Sequence, residues 1–177
     1  MGQDKAWLEL DGEPLVRRVA SRLSRVCGRV LVASGDGRRL GTLPWEQVAD
    51  AAPGRGPLAG IVAGLEAADT PLVAVAAVDQ PFVSAQVLVA LASAWRGEPA
   101  VVPLVDGRVQ PFPGVYAKDA SACLGRVLAS GTGSVTHALS TVGTRIAGPE
   151  IWAGADPDGA FAVDLDRPAD LAALRPS

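Results

Sequence analysis

The sequence predicts a three-layer α/β domain around a mixed, mostly parallel sheet, and three observations carry that expectation. Leu72 to Val78 is an unbroken apolar run, LVAVAAV. A strand buried on both faces beneath helices reads this way, whereas a half-exposed hairpin strand alternates polar and apolar residues. Strand-like and helix-like segments then alternate through the first half of the chain, as a sheet covered on both faces requires. Finally, Asp106-Gly107 separates two strand-like runs and is a strong hairpin signal, so an antiparallel piece joins the parallel core. The chain has 177 residues, 49% of them hydrophobic, which suits a single domain over 1–177 with a sizeable core.

Taken in order, MGQDK is a polar loop ahead of a short alternating strand, Trp7 to Leu10, and an Asp11-Gly12 turn. Leu15, Val16, Val19, Ala20, Leu23 and Val26 recur at helical spacing, with Pro14 suited to a first-turn position. Arg29 to Ala33 reads as a buried strand, and Ser34 to Arg39 as a glycine-rich turn. A strand at Gln47 to Ala49 ends on Asp50. The glycine- and proline-rich stretch AAPGRGPLAGI then leads into a helix over Leu58 to Ala68. After the long apolar run, Leu88, Leu91, Ala92 and Trp95 share a helical face, with Ser84 as N-cap. Strands over Ala100 to Val105 and Val109 to Ala117 form the hairpin. Helices follow at Ala117 to Leu128 and Val135 to Leu139, strands at Thr144 to Ala147 and Phe161 to Asp164, and a closing helix at Pro168 to Leu174.

Composition removes several function classes. The formal net charge of −3 offers no basic footprint for a nucleic-acid backbone. Arg17, Arg18, Arg22, Arg25 and Arg29 cluster opposite an apolar stripe and read as a solvated helix face. Cys27 and Cys123 stand singly within helical patterns, as reduced core residues of a cytoplasmic protein. No signal peptide is evident, and no apolar run approaches the ~18 residues of a membrane span. His137, the single histidine, lies in an apolar-patterned helix without a serine or acid at suggestive spacing, so it reads as structural and a histidine-based triad is disfavoured.

The chemistry therefore rests on few positions. Asp79 follows the long apolar run directly, and Gln80-Pro81 ends the strand. Ligands bind at the carboxyl ends of strands in open α/β sheets, and a carboxylate there suits a hard cation such as Mg²⁺ arriving with a phosphate. The same aspartate could equally cap the helix beginning near Ser84 or close a turn. Lys5 is a solvent-exposed lysine or a phosphate contact. Gly54 to Gly60 could bring backbone amides against a nucleotide, or be a tight strand–helix connection. Gly131-Thr132-Gly133-Ser134 is a weaker phosphate-loop candidate and reads better as a helix-entry turn.

MGQDKAWLELDGEPLVRRV, GRGPLAGI, VDQPFV, QPFPGVY and FAVDLDRPADL, in this order and spacing, resemble the molybdenum cofactor guanylyltransferase (MobA) family across nearly the whole chain. The resemblance implies a Rossmann-like nucleotidyltransferase fold. It also implies that GMP is transferred from GTP to Mo-molybdopterin with release of pyrophosphate and with Mg²⁺ as cofactor. By position, Lys5 matches a lysine that contacts the nucleotide phosphates; Asp50 and Gly56, Pro57, Leu58 and Gly60 match positions around the guanosine. Asp79 matches the metal-binding aspartate, and Asp166 falls near the reaction centre as a second metal ligand, two residues after Asp164. Lys5 and Asp79 are thus the implied catalytic pair. The QPFPGVY segment would line the acceptor side through Gln110 and Tyr116, unless these pack, and Arg108 is a candidate anion contact. Molybdopterin-delivering proteins and molybdoenzymes are the implied partners. The alternatives are a related nucleotidyltransferase, acting with CTP or on a sugar phosphate, and a non-catalytic module.

Two departures qualify the resemblance. Family members begin with a hydrophobic strand and a loop of the type LAGGxSxRMG, and this chain starts at the Met-Gly of that motif. The expectation is a truncated reading frame, lacking that strand and loop and binding GTP poorly. Ala33 also stands where some members have a polar residue, which Ser34 could replace.

Overall fold

The computed structural model describes residues 4–165. The chain opens on a 3-10 turn, Lys5–Trp7, capped by the Asp4 carboxylate, which accepts from the Ala6 N–H at 3.1 Å. A small ribbon follows, β1 (Glu9–Leu10) pairing antiparallel with β2 (Glu13–Pro14) across Asp11 and Gly12, both at positive φ. Helix α1 (Leu15–Leu23) buries Leu15, Val16, Val19 and Ala20, the predicted stripe, and Pro14 takes its N-cap. Strands β3 (Leu31–Ala33) and β4 (Glu46–Val48) pair in parallel, and α2 (Pro57–Ala67) crosses from them to β5 (Leu72–Val75). Helix α3 (Ala85–Ala94) begins where Ser84 Oγ accepts from the Val87 N–H. The remainder is β6 (Ala100–Val105), β7 (Arg108–Val109), β8 (Gly114–Ala117), α4 (Ala120–Ala129), α5 (Val135–Thr141), β9 (Arg145–Ala147) and α6 (Pro149–Trp152).

In the larger sheet β8 runs antiparallel to both β5 and β6, and β9 runs parallel to β6. Strands β5, β6 and β9 therefore share one direction and β8 opposes them, which is the mixed sheet expected. Successive residues face opposite layers, as strand geometry demands. Val102 and Tyr116 pack with Leu58, Leu65, Leu124 and Leu139 beneath α2, α4 and α5. Their neighbours Val101 and Val115 pack with Val19, Leu91, Trp152 and Phe161 beneath α1, α3 and α6. No helix among the described residues is long and apolar enough to cross a membrane.

Several expectations are corrected. The run Val109 to Ala117 is not one strand: β7 ends at Val109 and β8 begins at Gly114, because Pro111 and Pro113 cannot donate to a ladder. Ala117 belongs to β8, so α4 starts three residues later than its apolar pattern suggested. Phe161 lies in a 3-10 turn, Ala160–Ala162, instead of a strand. The Asp156 carboxylate accepts from the N–H of Ala160 and Phe161, and the Phe161 ring packs edge-on against Trp152 at 5.1 Å. Helix α6 has only four residues and left no periodic signal. The closing helix at Pro168 to Leu174 lies outside the described residues. The arginines are only in part a solvated face, since Arg18 pairs with Asp11 and Glu13, Arg22 donates to the Val83 carbonyl and Arg29 pairs with Glu46 and Asp69.

The most instructive correction concerns the organising strand. Only Leu72–Val75 enters a ladder, and the whole run to Val78 is half-buried instead of enclosed. One edge of β5 pairs with β8, and among the described strands none pairs with the other. Strand β3 is in the same position: β4 holds one edge, and no described strand pairs with the other.

Candidate functional site

Those two bare edges form the long walls of a cleft of ≈ 1070 Å³. Its polar end lies at the carboxyl ends of the strands, where Asp50 and Asp79 both reach its lining. The Asp79 carboxylate sits 3.5 Å from Lys5 Nζ, with 25% and 43% of the two side chains exposed, so an incoming anion can reach both. The segment preceding Asp166 is tied to this point, because the Leu165 N–H donates to the Asp79 carbonyl at 2.8 Å. Gln80 next door is buried and its Nε2 donates to the Phe112 carbonyl at 2.8 Å, which holds the turn after β5 against the QPFP segment. Asp79 is thus placed by a buried turn and presented at the lip of the cleft. It does not cap α3, a role taken by Ser84.

The opposite wall is built from Asp50 and the start of α2. Burial pushes the Asp50 carboxyl above its ordinary value, opposed by the Gly35 N–H and by the Arg39 guanidinium. The glycines beside it are there for space. A Cβ on Gly60 would come within 3.1 Å of the Ala33 methyl and 3.4 Å of Asp50 Oδ1. Gly56, at φ 76°, is the N-cap of α2, and Pro57 occupies the first turn, where its missing N–H costs nothing. A Cβ on Gly133 would overlap the Arg55 carbonyl, so the SGTGS loop and the GRGPLAG loop touch backbone to backbone. That contact gives the SGTGS loop a structural task as support for the wall.

The other candidates separate from this pair. Leu58 is 0% exposed and its side chain belongs to the core, so it offers a ligand no side-chain contact. Tyr116 is equally buried; its hydroxyl donates to the Pro111 carbonyl at 2.8 Å, and burial holds its acidity far down. It packs and does not line an acceptor site. Gln110 follows β7, its N–H donating to the Pro103 carbonyl at 2.9 Å, and Arg108 is exposed at the hairpin. His137 is exposed on α5, so it is neither in the core nor at the cleft. Ser34 is fully buried and its hydroxyl has no partner among the described atoms. Cys27, half-buried along the cleft, has its thiol pushed up by burial, and Cys123 is a free thiol beside the core. Asp166 lies outside the described residues.

Sequence reasoning passed over Arg39. It pairs with Asp4 at 3.2 Å and lines the cleft beside Asp50. Its position is fixed by Asp36, whose carboxylate accepts from the N–H of Arg38 and Arg39 at 2.8 and 2.6 Å and is held low by those bonds. The signal available was an aspartate between two glycines followed by basic residues, directly after a strand. The polar end of the cleft therefore carries Lys5 and Arg39 as cations, with Asp50 and Asp79 as acceptors.

Among the described residues no group of three or more His, Cys, Asp or Glu could enclose a metal ion. Mg²⁺ does not require one, since it is commonly held by one or two carboxylates together with substrate phosphates. A single accessible carboxylate beside a lysine fits that mode and does not fit a structural metal cage.

Residues 1–142 match the model of a family described as the MobA-like NTP transferase domain. A probable molybdenum cofactor guanylyltransferase from Chloroflexus aggregans is 36% identical over 176 residues, covering 96% of this chain and 85% of that protein. The molybdenum cofactor guanylyltransferase of Cereibacter sphaeroides is 35% identical over 175 residues, covering 97% and 86%. The crystal structure of molybdopterin-guanine dinucleotide biosynthesis protein A from Archaeoglobus fulgidus superposes with a TM-score of 0.83 at 25% identity, covering 97% of this chain and 89% of that one.

Proposed function

Because the chain belongs to the MobA-like NTP transferase domain family, we propose that it is a molybdenum cofactor guanylyltransferase, which transfers GMP from GTP to Mo-molybdopterin and releases pyrophosphate. The observation that carries the site assignment is the Lys5–Asp79 pair at the carboxyl end of β5, facing Asp50 and the start of α2 across one cleft. An acceptor phosphate oxygen attacks the α-phosphorus of GTP. The bond from that phosphorus to the bridging oxygen breaks, and its electron pair leaves on pyrophosphate. The nucleophile is already ionised near neutral pH, so no general base is required. Catalysis then reduces to bringing anions together, holding them in line and neutralising the charge that develops.

Each residue has a task in that scheme. Asp79 is the described carboxylate that would hold Mg²⁺, with Asp166 as a further candidate. When bound, that ion would supply positive charge against the phosphates and the departing pyrophosphate. Lys5 leaves its pairing with Asp79 to lie against the triphosphate, and Arg39 adds a second positive charge at the same end. Asp50, desolvated but still an acceptor, suits the N–H groups on a guanine edge. Gly56 and Gly60 keep the wall bare of side chains so that the base can approach the backbone.

Calorimetric titration of the chain with GTP and with CTP, each with Mg²⁺, tests the reading. Tighter binding of GTP, weakened by Asp50→Asn, is expected. A clear preference for CTP would identify a cytidylyltransferase instead, and binding of neither would point to a non-catalytic module.

A further inference from the structure

Two ion pairs at the polar end of the cleft are made by consecutive residues that reach opposite walls. Asp4 Oδ2 pairs with Arg39 Nη1, beyond β3, at 3.2 Å, and Lys5 Nζ pairs with Asp79, beyond β5, at 3.5 Å. The backbone that carries Asp4 and Lys5 is pinned. The Trp7 N–H donates to the Asp4 carbonyl at 2.9 Å, the Leu8 N–H donates to the Lys5 carbonyl at 3.1 Å, and Ala6 is buried with Val16 and Leu40. The turn is therefore fixed through Ala6, while all four charged side chains stay partly open to solvent.

The two oxygens of the Asp4 carboxylate have separate tasks. Oδ1 accepts from the Ala6 N–H at 3.1 Å and ties the carboxylate to the turn, which leaves Oδ2 for Arg39. Arg39 is tied by its backbone, whose N–H donates to the Asp36 carboxylate at 2.6 Å, so its guanidinium can change partners without moving its Cα. A guanidinium donates to carboxylate and to phosphate oxygens through the same fork of N–H groups. The Asp4 carboxylate thus stands on Arg39 where a phosphate oxygen would stand. Pairs this exposed hold weakly, and a polyphosphate with several charges displaces a single carboxylate. It does so against a charge that does not leave, because Oδ1 keeps Asp4 on the turn, within a Debye length of the incoming anion.

We propose that Asp4 is an internal competitor for Arg39: it holds the place of a phosphate until a polyphosphate arrives, and so sets how tightly the site takes one. In this role Asp4 is a positioning residue that acts through Arg39. Because Asp4 and Lys5 are consecutive, one ligand exchanges both pairs, drawing Arg39 from Asp4 and Lys5 from Asp79 and leaving the Asp79 carboxylate open. The inference rests on the guanylyltransferase reading only for placing the polyphosphate at this end of the cleft.

The test is calorimetric titration with inorganic tripolyphosphate and Mg²⁺, on the parent chain, Asp4→Asn, Asp4→Glu, Arg39→Gln and the double variant of Asp4→Asn with Arg39→Gln. Asp4→Asn keeps the shape and the oxygen that accepts from Ala6 while removing the charge. It should bind about two- to fivefold tighter than the parent, the range that a partly exposed ion pair supports, and the gain should shrink as salt is raised. In the Arg39→Gln background the same substitution should change nothing. Asp4→Glu keeps the charge and lengthens the arm, so it should bind as the parent does. Unchanged or weaker binding by Asp4→Asn would overturn the proposal, since Asp4 would then orient Arg39 or only cap the turn. So would a gain that survives the loss of Arg39, an Asp4→Glu protein that behaves like Asp4→Asn, or no binding by any of the five proteins. Tripolyphosphate carries no base, so these outcomes are read whichever nucleotide the cleft prefers. A preference for CTP over GTP would sink the guanylyltransferase reading and leave the competition at Arg39 standing. Weaker binding by Asp4→Asn with GTP still preferred would sink the competition alone.

Discussion

Strands β5 and β6 are written in nearly the same alphabet, LVAV and AVVPLV, yet they end in different surroundings. Ala100, Val101 and Val102 of β6 are 0% exposed, with β8 on one side and β9 on the other. Every residue from Leu72 to Val78 is half-exposed, and β5 has a single neighbour among the described strands. The difference teaches that an apolar run reports how many neighbours a strand is built for, not how many it has. It also divides the molecule: the half around β6 holds the packing, and the half around β3 and β5 holds the cleft and its charges.

The sharpest way to break that division is Asp79→Ala. Its pair with Lys5 is partly exposed, and such pairs contribute only ~0–1 kcal/mol, so the denaturation midpoint should scarcely move. GMP transfer should fall by at least ~10²–10³, the usual cost of removing a group that stabilises developing charge. A product assay and an unfolding curve on the same preparation decide it. If stability collapses together with activity, Asp79 belongs to the packing half after all.

A smaller contrast comes from identical substitutions on either side. Val101→Ala removes two fully buried carbons and should cost about 2 kcal/mol, from transfer at ~0.8 kcal/mol per CH₂ plus an unfilled cavity. Val73→Ala, on half-buried β5, should cost about 1 kcal/mol or less. Denaturant midpoints at unchanged slope give both values. Equal losses would mean that the bare edge of β5 is covered in solution, and an occupied cleft would then be the explanation to test.

Much of this was legible in the residues, and what was not has definite causes. The parallel core, the hairpin at Asp106-Gly107 and the Ser84 cap each rest on local chemistry that the sequence states outright: apolar periodicity, residues able to adopt positive φ, and a hydroxyl within reach of orphan N–H groups. The interruption at Gln110 to Pro113 was signalled by two prolines and still overridden by the apolar residues around them. Phe161 misled because a core side chain on a 3-10 turn and one on a strand look alike in one dimension. At the site, Lys5 and Asp79 were selected as chemistry, but their meeting depends on the 3-10 turn at Lys5–Trp7 folding across the end of β5. Arg39 escaped notice because its position is set by an aspartate turn and by Asp4, neither of which leaves a periodic mark. The half-buried state of β5 could not be read at all, since burial belongs to pairs of strands and a sequence displays them one at a time.

The mildest test concerns Asp50, whose carboxyl burial pushes above its ordinary value. A folded state that holds this proton more tightly than the unfolded chain is stabilised by it at low pH. That contribution is complete below the unfolded value and is lost as pH rises through the folded one. In the free protein, therefore, the ionised Asp50 is a small liability at neutral pH. Asp50→Asn keeps the shape and removes the titration. Its thermal stability relative to the parent chain should improve as pH is raised from about 4 toward neutrality, by a few degrees at most because the group is only partly enclosed. The opposite slope, with the parent gaining over the variant as pH rises, would mean that the Gly35 N–H and Arg39 outweigh desolvation. The carboxylate would then already be satisfied before any ligand arrives, and the wall it builds would be a structural brace with no acceptor to spare.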